Sequence, residues 1–326
     1  MNFANRYLKL GIASLALSAC KDVTPPAQAT NPKISINLGN KADAAHIAAN
    51  AYQHTEKILS FGHRQPNSAG LRKSKDYVIS ELKKIGWNTQ EQSFTANTPL
   101  GEIKYSNLIA RYAPTKDINP WRKSVSGVIG AHIDSKILPD FLAADDSASC
   151  VATMIALAKY FHVKHPEVAS KLELVFFDGE EAIGDNMTMR DGLYGSDYYA
   201  RAVRSSTMDK LNPYRKTPKF GIVLDMIGHE NLSIKIPSDT PPKLHKAYTA
   251  ARKKLGYEKH FGYAKGVILD DHYPMNEVAN IPTIDIIGDF TKNKWWHTSA
   301  DSLDIISEES LSMSTEMTLE ILSNQL

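Results

Sequence analysis

The sequence predicts a three-layer α/β/α sandwich built on a central mixed, mostly parallel sheet. Helical segments alternate with apolar, β-branched segments along most of the chain, a pattern typical of α/β folds. Several of the apolar segments are continuous, as expected for strands that are buried on both faces of a sheet. The chain has 326 residues, of which 42% are hydrophobic and 23% charged, so it is long enough for one large domain with a well-covered core.

Residues 1–20 have the pattern of a secretory signal. Arg6 and Lys9 precede the apolar run 10–19, which is too short to span a bilayer. The motif Leu17-Ser18-Ala19-Cys20 resembles the bacterial lipobox, in which the cysteine is lipidated and becomes the mature N-terminus. A plain secretion signal that ends on a chance cysteine is the alternative, because small residues are common at every signal cleavage site.

The residues after Cys20 indicate a location and the domain boundaries. Lys21 follows the cysteine, whereas lipoproteins held at the inner membrane typically carry Asp there. We therefore expect a periplasmic protein anchored to the outer membrane through a lipid on Cys20. Residues 21–40 are rich in Pro, Ala, Thr and Asn and are expected to form a flexible tether. Residues 41–326 are expected to form a single domain.

Periodicity places the elements of this domain in order. Helical periodicity predicts helices at 41–61, 68–86, 148–162, 193–204 and 242–255, and a last helix from residue 308. Apolar and β-branched runs predict strands at 89–95, 105–112, 125–133, 172–177, 221–227 and 281–287. The second helix closes on Gly86 after Lys83 and Lys84, a common helix ending.

Acidic residues and histidines cluster just after the predicted strands, where open α/β sheets place their binding sites. They are His132 with Asp134, Glu180 with Glu181, Asp225, His297 with Trp295 and Trp296, and Asp145 with Asp146 just before a helix. Each of these residues alone also fits a structural role, such as a core histidine or a helix N-cap. Five such groups at strand ends favour a functional site.

Glu180 and Glu181 are adjacent on the turn that ends the run 172–177. Side chains alternate across a strand, so two neighbouring acids leaving its end point in different directions. One carboxylate can therefore bind a metal while the other remains free to move protons, as metal-assisted acyl chemistry requires.

Charge and cysteine content exclude other classes of function. The 38 basic and 36 acidic residues leave a net charge of +2, which is too small to indicate nucleic-acid binding. With Cys20 lipidated, Cys150 has no partner for an intramolecular disulfide. Cys150 also lies in an apolar helical pattern, where a thiol packs as a small hydrophobic side chain rather than acting as a nucleophile.

The motifs HxDS, DDS, GEE, LDMIG and WHT follow one another in an order that resembles the zinc aminopeptidase family. From about His46 onward, the chain is more similar to an offshoot of that family, the animal-type zinc-dependent glutaminyl cyclases (glutaminyl-peptide cyclotransferases). The stretches specific to the cyclase branch are 131–136, 177–182, 193–196, 266–272 and 296–298. Aminopeptidases usually show GAEE running directly into LLGS, and SDH in place of Asp270-Asp271-His272. The fold implied is zinc-aminopeptidase-like, with 41–326 as the catalytic domain.

The resemblance implies roles for individual residues. The positions that hold the single zinc of the cyclases correspond to Asp146, Glu181 and His297. Glu180 matches the general acid and base, Asp225 and Asp270 match acids that hydrogen-bond the reacting groups, and Trp296 matches an aromatic beside the substrate side chain. The reaction implied is cyclisation of an N-terminal glutamine of a peptide or protein to pyroglutamate, with release of ammonia.

The chain departs from the cyclase pattern in several places. His132 and Asp225 match the residues that hold a second metal in the aminopeptidases, so one zinc is expected and a second is compatible with the ligands. Animal cyclases carry a histidine on the last strand where this chain has Asp285. Ala131 replaces one cysteine of the disulfide found in the secreted animal enzymes.

The insertion after Glu181 also lacks the tryptophan expected there. Asp185, Asn186 and Met187 occupy its vicinity. We expect part of the hydrophobic wall of the substrate pocket to be missing or supplied by Phe290. His272 follows the acidic pair Asp270-Asp271 and has two open interpretations, a place near the site or a structural hydrogen bond.

Three functions remain open at this point. The first is a glutaminyl cyclase acting as a monomer on peptide or protein N-termini, without nucleic acid as a partner. The second is a two-zinc aminopeptidase, in which Glu180 activates a metal-bound water. The third is a lipid-anchored protein that binds peptide N-termini without turnover. The acids and histidine of the implied site argue against the third, because a binding protein has no need of a free carboxylate beside a metal ligand.

Overall fold

A six-stranded mixed sheet forms the centre of the computed structural model, which describes residues 37–115, 117–208, 216–292 and 294–326. The strands in chain order are β1 (Trp87–Thr98), β2 (Gly101–Tyr112), β3 (Gly127–His132), β4 (Leu172–Phe177), β5 (Phe220–Asp225), β6 (Ile234–Ile236), β7 (Phe261–Tyr263) and β8 (Thr283–Ile287). The order across the large sheet is β1-β2-β4-β3-β5-β8, while β6 and β7 pair separately as a small parallel sheet. β4, β3, β5 and β8 run parallel, and β2 and β1 are added antiparallel at one edge.

Helices cover both faces of this sheet. They are α1 (Lys41–Leu59), α2 (Ala69–Lys84), α3 (Ser149–Lys164), α4 (Pro166–Ala169), α5 (Tyr194–Met208), α6 (Pro242–Leu255), α7 (His272–Glu277) and α8 (Glu308–Ser323). Helices α1, α3 and α8 pack against one another over one face, and α5 packs with α7 over the other.

Side chains of β4 point alternately to the two faces of the sheet, so this strand contributes to two apolar clusters. Leu174 and Phe176 belong to the apolar cluster that contains the side chains of α1, α3 and α8. Val175 and Phe177 belong to the cluster on the other face, with residues of α5 and α7. All six residues of β4 are buried, as are all six of β3 and of β5. Continuous apolar strands are therefore required here, because both faces of the sheet are covered.

Helix ends follow the local chemistry of the sequence. Asn40 caps α1 with its side chain, which accepts hydrogen bonds from the N–H groups of Ala42 (2.9 Å) and Asp43 (3.1 Å), and Asp43 completes a capping box. Gly256 ends α6 with a φ of 74°, a left-handed conformation that glycine adopts without steric strain.

The predicted three-layer α/β/α sandwich is confirmed. The strand 172–177 and the helix 242–255 were predicted with the bounds that the structure shows. The short elements α4, α7, β6 and β7 were not predicted. Each has six residues or fewer, which is too short for a periodic pattern to develop.

Residues 37–40, at the end of the predicted tether, are part of the described structure. The described residues fall within one compact unit, Ser35–Leu326. Leu38 is fully buried in the core and Asn40 caps α1, so the last residues of the predicted tether pack on the domain. The predicted signal 1–20, its Cys20 and the tether up to residue 36 lie outside the described residues. Within the described residues, no helix combines the length and the apolar character that a membrane crossing requires.

Candidate active site

The carboxyl ends of β3, β4 and β5 bring the predicted site residues together. His132 is the last residue of β3 and Asp225 is the last residue of β5. Glu180 and Glu181 follow β4, which ends at Phe177. Because β3 lies between β4 and β5 and all three run parallel, these side chains meet at one edge of the sheet.

Asp146 enters the site from the irregular turn 144–148 that precedes α3. Its φ and ψ of −106° and 71° depart from helical values. The carboxylate of Asp301 accepts hydrogen bonds from the N–H groups of Asp145 (2.7 Å) and Asp146 (3.1 Å). The buried guanidinium of Arg64 donates to two backbone carbonyls just before the turn, both at 2.8 Å. Buried polar groups thus hold the backbone that carries Asp146.

The turn after β4 depends on one glycine and one buried acid. Gly179 has a φ of 83°, and a Cβ built on it would lie 2.6 Å from a ring carbon of Tyr105, so only glycine fits. The carboxylate of Asp134 accepts hydrogen bonds from the N–H groups of Glu180 (3.2 Å) and Glu181 (3.3 Å). Asp134 therefore fixes the backbone from which both glutamates project.

Five side chains form two groups that share Asp146. Oδ1 of Asp146 lies 3.0 Å from Nε2 of His132, which lies 3.4 Å from Oδ1 of Asp225. Oδ2 of Asp146 lies 3.4 Å from Nε2 of His297, which lies 3.4 Å from Oε2 of Glu181. In each group three ligand atoms fall within 4.8 Å of one another. Two carboxylates and an imidazole are a common donor set of catalytic zinc.

Unsatisfied atoms support a cation at these groups. Oε1 of Glu181, Oδ1 of Asp225 and both ring nitrogens of His132 are buried without a hydrogen-bond partner among the described residues. Buried polar atoms normally have partners, so a set of unpaired ligand atoms pointing together fits a bound metal.

The protonation states reflect competition between burial and close charges. Burial raises the pKa of Asp146, but the nearby imidazoles of His132 and His297 outweigh it and lower that pKa well below its usual value. Burial lowers the pKa of His297, but Asp146 and Glu181 outweigh it and raise that pKa to about 9. The carboxylates therefore stabilise positive charge here, and a metal ion would take the place of the protons.

Glu180 lies in the same site with a different environment. Its side chain is buried, and Oε2 lies 4.0 Å from Nδ1 of His132. Burial raises the pKa of Glu180 well above its usual value, and the carboxylates of Glu181, Asp270 and Asp271 raise it further against the opposing effect of His132. A carboxyl with a raised pKa can both accept and donate a proton near neutral pH.

A cavity of ≈160 Å³ is lined by these groups. Its walls include the acids Glu180, Asp225 and Asp270, the loop residues Asp185, Asn186 and Met187, and the aromatic residues Phe290 and Trp296. The rings of Phe290 and Trp296 lie 4.9 Å apart, and Trp296 stacks on His297 at 3.9 Å. Phe290 thus lies in the wall of this cavity.

Asp285 lies beside Asp270 of this cavity, in a third buried group of possible ligand atoms that includes His272. Its Oδ2 lies 3.3 Å from Nδ1 of His272, and Nε2 of His272 lies 3.5 Å from Oδ2 of Asp239. Burial lowers the pKa of His272, but Asp239 and Asp285 outweigh it and raise that pKa to about 10. Burial and the neighbouring Asp270 raise the pKa of Asp285 well above its usual value, against the opposing effect of His272. His272 therefore lies near the site and also contacts Asp239 and Asp285.

A larger cavity, of ≈590 Å³, lies between α2 and the β1–β2 hairpin. The carboxylate in its lining is that of Asp178, which is already paired with Nζ of Lys75 at 2.7 Å. Cavity size therefore does not locate the active site of this protein, whereas the cluster of titratable side chains does.

One protein-family model matches a long part of the chain. Residues 107–322 match the model of peptidase family M28, which is more than half of the chain. The chain belongs to peptidase family M28. The match begins in β2 and ends in α8, so it includes every residue of the two ligand groups.

Proteins similar to this chain are named either as glutaminyl cyclases or as a Zn-dependent exopeptidase. The glutaminyl-peptide cyclotransferase of Dictyostelium discoideum is 27% identical over 294 residues, covering 79% of each chain. The solved structure of Porphyromonas gingivalis glutaminyl cyclase is 28% identical with a TM-score of 0.72, covering 86% of this chain and 98% of that one. A Zn-dependent exopeptidase from Parabacteroides distasonis is also 28% identical, with a TM-score of 0.70 and coverage of 85% and 98%.

Several residues that shape this M28 site were not given a role from the sequence. Asp134 was grouped with His132 at a strand end, as part of the HxDS motif, but its bonds to the turn after β4 were not predicted. Arg64 and Asp301 lie far from the turn 144–148 in sequence and carry no motif that relates them to it. Only the folded chain brings them into contact.

Proposed function

We propose that this protein cyclises the N-terminal glutamine of peptides or proteins to pyroglutamate and releases ammonia. The observation that carries the proposal is the pairing of Glu180 with Glu181. One carboxylate belongs to a ligand group and its neighbour remains free in the same cavity, beside the aromatic wall of Phe290 and Trp296. The names of the most similar relatives agree with this reaction.

Zinc is the metal that the M28 family and the donor atoms favour. Asp146, Glu181 and His297 would hold it, since their ligand atoms converge and the aromatic wall lies beside them. When bound, zinc would act as a Lewis acid that polarises the γ-carbonyl of the substrate glutamine.

Glu180 would move the protons of the reaction. The α-amine nitrogen of the substrate forms a bond to its own γ-carbonyl carbon, and the bond from that carbon to the amide nitrogen breaks. Glu180 takes a proton from the attacking amine and returns it to the departing nitrogen, which leaves as ammonia. No activated water is needed, because the nucleophile is tethered to its target.

The remaining side chains would orient the substrate and exclude water. Asp225 and Asp270 line the cavity together with Glu180, where their oxygens can accept hydrogen bonds from the amine and amide N–H groups. Phe290 and Trp296 offer an apolar surface to the methylene groups of the glutamine side chain. A dry site also strengthens the electrostatic interactions within it.

A two-zinc aminopeptidase is the second candidate. The group of His132, Asp146 and Asp225 favours it, because this group shares Asp146 with the first and offers a second set of ligands. The similarity to a Zn-dependent exopeptidase supports the same alternative. In that case Glu180 would activate a water, and the product would be a free N-terminal amino acid.

The test is to incubate the zinc-loaded full chain with a peptide that begins in glutamine and to identify the products by mass spectrometry. We expect loss of ammonia from an otherwise intact peptide. Release of free glutamine would contradict the cyclase and establish the aminopeptidase. A peptide with N-terminal alanine is the matched control, since it can be hydrolysed but cannot cyclise.

We also propose that the protein is a lipoprotein of the bacterial cell envelope that acts as a monomer in the periplasm. The support is the sequence of residues 1–20 and the lysine after Cys20. Cys20→Ser should move the protein from the outer-membrane fraction to the soluble periplasmic fraction, as measured by immunoblotting. An unchanged membrane fraction would contradict the lipid anchor.

A further inference from the structure

Lys136 is a buried cation at the active-site cavity to which no role has been assigned so far. It lies in the stretch 131–136 that distinguishes the cyclase branch, and it lines the cavity with only 6% of its surface exposed. Nζ donates hydrogen bonds to the carbonyl oxygens of Ala182 (2.8 Å) and Gly184 (2.9 Å). It also lies 3.8 Å from Oε2 of Glu181.

Burying the ammonium group of Lys136 costs free energy, which its contacts must offset. A buried lysine is unfavourable unless its charge and donors are satisfied, and a methionine would fill similar space without that penalty. Two of the three N–H donors of Lys136 are used on backbone carbonyls of one short segment. The contacts of Lys136 are therefore concentrated on the segment 182–192 rather than on the core.

A carboxylate near the other end of this segment bonds back to the same residues. The carboxylate of Asp191 accepts hydrogen bonds from the N–H groups of Ile183 (2.9 Å) and Gly184 (2.8 Å), and from the hydroxyl of Tyr194 (2.8 Å). Lys136 bonds to carbonyl groups and Asp191 bonds to amide groups of the same three residues, Ala182 to Gly184. The segment is thus clamped between two opposite charges.

The clamped segment forms one wall of the substrate cavity. Asp185, Asn186 and Met187 line the cavity together with the aromatic residues of the site. They occupy the insertion in which the sequence lacks the tryptophan of the animal cyclases. With no large ring to pack there, the position of this wall depends on its backbone bonds.

We propose that Lys136 is a positioning residue that fixes the loop 182–192 as the wall of the substrate cavity and thereby sets the affinity for the substrate side chain. The assignment of the cavity to substrate rests on the proposed function, whereas the clamp itself does not. A wall that contacts substrate in the ground state and in the transition state changes KM more than kcat.

The first test is hydrogen–deuterium exchange of the zinc-loaded full chain, read on peptides that span 182–192. Lys136→Met should raise the exchange rate of this loop by about tenfold or more, because local opening is no longer opposed by the clamp. Lys136→Arg should restore slow exchange, since a guanidinium keeps the donors. Slow exchange in Lys136→Met would overturn the proposal, whether or not the protein proves to be a cyclase.

The second test separates positioning from a role at the metal. In Lys136→Met we expect KM for a glutamine peptide to rise by about tenfold or more, kcat to fall by less than about threefold, and zinc content to stay unchanged. The exposed Lys84→Met is the control. Loss of zinc, or a fall in kcat at constant KM, would show that Lys136 acts through Glu181 and would overturn the proposal. A wild-type protein that releases no ammonia would refute the proposed function and leave the exchange result to decide on the clamp.

Discussion

In the proposed reaction, Glu180 and Glu181 have different roles although they are adjacent along the chain. The backbone N–H groups of both are held by the same carboxylate, that of Asp134, so their side chains leave a fixed turn. Oε2 of Glu181 lies 3.4 Å from Nε2 of His297, within a ligand group. Glu180 belongs to neither ligand group and has a pKa raised by burial. The division of labour thus rests on backbone geometry.

Glu180→Gln should abolish proton transfer while sparing the ligands. We expect the rate of ammonia release to fall by about 10²–10⁴-fold, because general acid–base catalysis contributes a factor of that order. Zinc content, measured by elemental analysis, should be unchanged. The exposed Glu102→Gln is the matched control. Ammonia release near the wild-type rate would remove Glu180 from this role.

His132→Ala should distinguish one metal from two. If Asp146, Glu181 and His297 hold a single zinc, elemental analysis should give about one zinc per chain in both wild type and variant. Cyclisation should still slow, because Nε2 of His132 lies 3.0 Å from Asp146 and helps to orient it. A fall from two zinc ions to one would instead show that the second ligand group is occupied.

At the scale of elements, α2 is tied to the end of β4 just before the catalytic turn. Nζ of Lys75 lies 2.7 Å from Oδ2 of Asp178, and both side chains are buried. The same oxygen accepts a hydrogen bond from the N–H of Ser106 (2.7 Å), and the N–H of Asp178 donates to Asn107 (2.9 Å). One residue thus joins α2, β2 and β4 beside Glu180.

Lys75→Met should destabilise the fold, because it leaves Asp178 as a buried carboxylate without its cation. We expect the free energy of unfolding to fall by about 3–5 kcal/mol at pH 8, as measured by urea denaturation. Burial raises the pKa of Asp178 to about 6 even with Lys75 present, so protonation should reduce the loss at pH 5.

Two further variants check this interpretation. Lys75→Met combined with Asp178→Asn removes both charges and should recover part of the lost stability. Lys84→Met breaks an exposed pair with Glu81 and should change the free energy of unfolding by less than about 1 kcal/mol. Equal losses in the two single lysine variants would contradict a special role of the buried pair.

At the scale of the whole molecule, His272 makes stability depend on pH. Its pKa in the folded state is about 10, above the ordinary value of 6.5, so the folded state binds more protons between these two values. Stability from this group is therefore fully present below about pH 6.5 and is lost as the pH rises towards about 10.

His272→Gln should flatten this dependence. We expect the free energy of unfolding of the wild type to fall more steeply from pH 7 to pH 10 than that of the variant, by at most ~1.4 kcal/mol per pH unit. Urea denaturation at several pH values measures both slopes. Parallel curves would contradict a cationic His272 between Asp239 and Asp285.

Local pattern was sufficient for the longer elements and for the members of the site. The strand 172–177 could be predicted because five of its six residues are apolar, as expected in a sheet covered on both faces, and the structure buries all six. Asp146, Glu180, Glu181 and Asp225 could be proposed because each lies beside the end or start of a predicted element, whereas His297 lies in the irregular segment between β8 and α8 and was proposed from its motif. The motif order then related them to the zinc aminopeptidases, and the match to family M28 confirmed that relation.

The sequence by itself determined the three-layer fold and the types of ligand, since both could be inferred from periodic patterns and short motifs of residues that are close along the chain. Only the tertiary structure decided that Asp146 is shared by two ligand groups, that Asp301 holds its backbone, and that Asp285 lies beside His272. Asp301 lies 155 residues from Asp146, and no periodicity or motif encodes contact over such a separation. Packing of the sheet and helices brings these charges together, and burial then sets their protonation states.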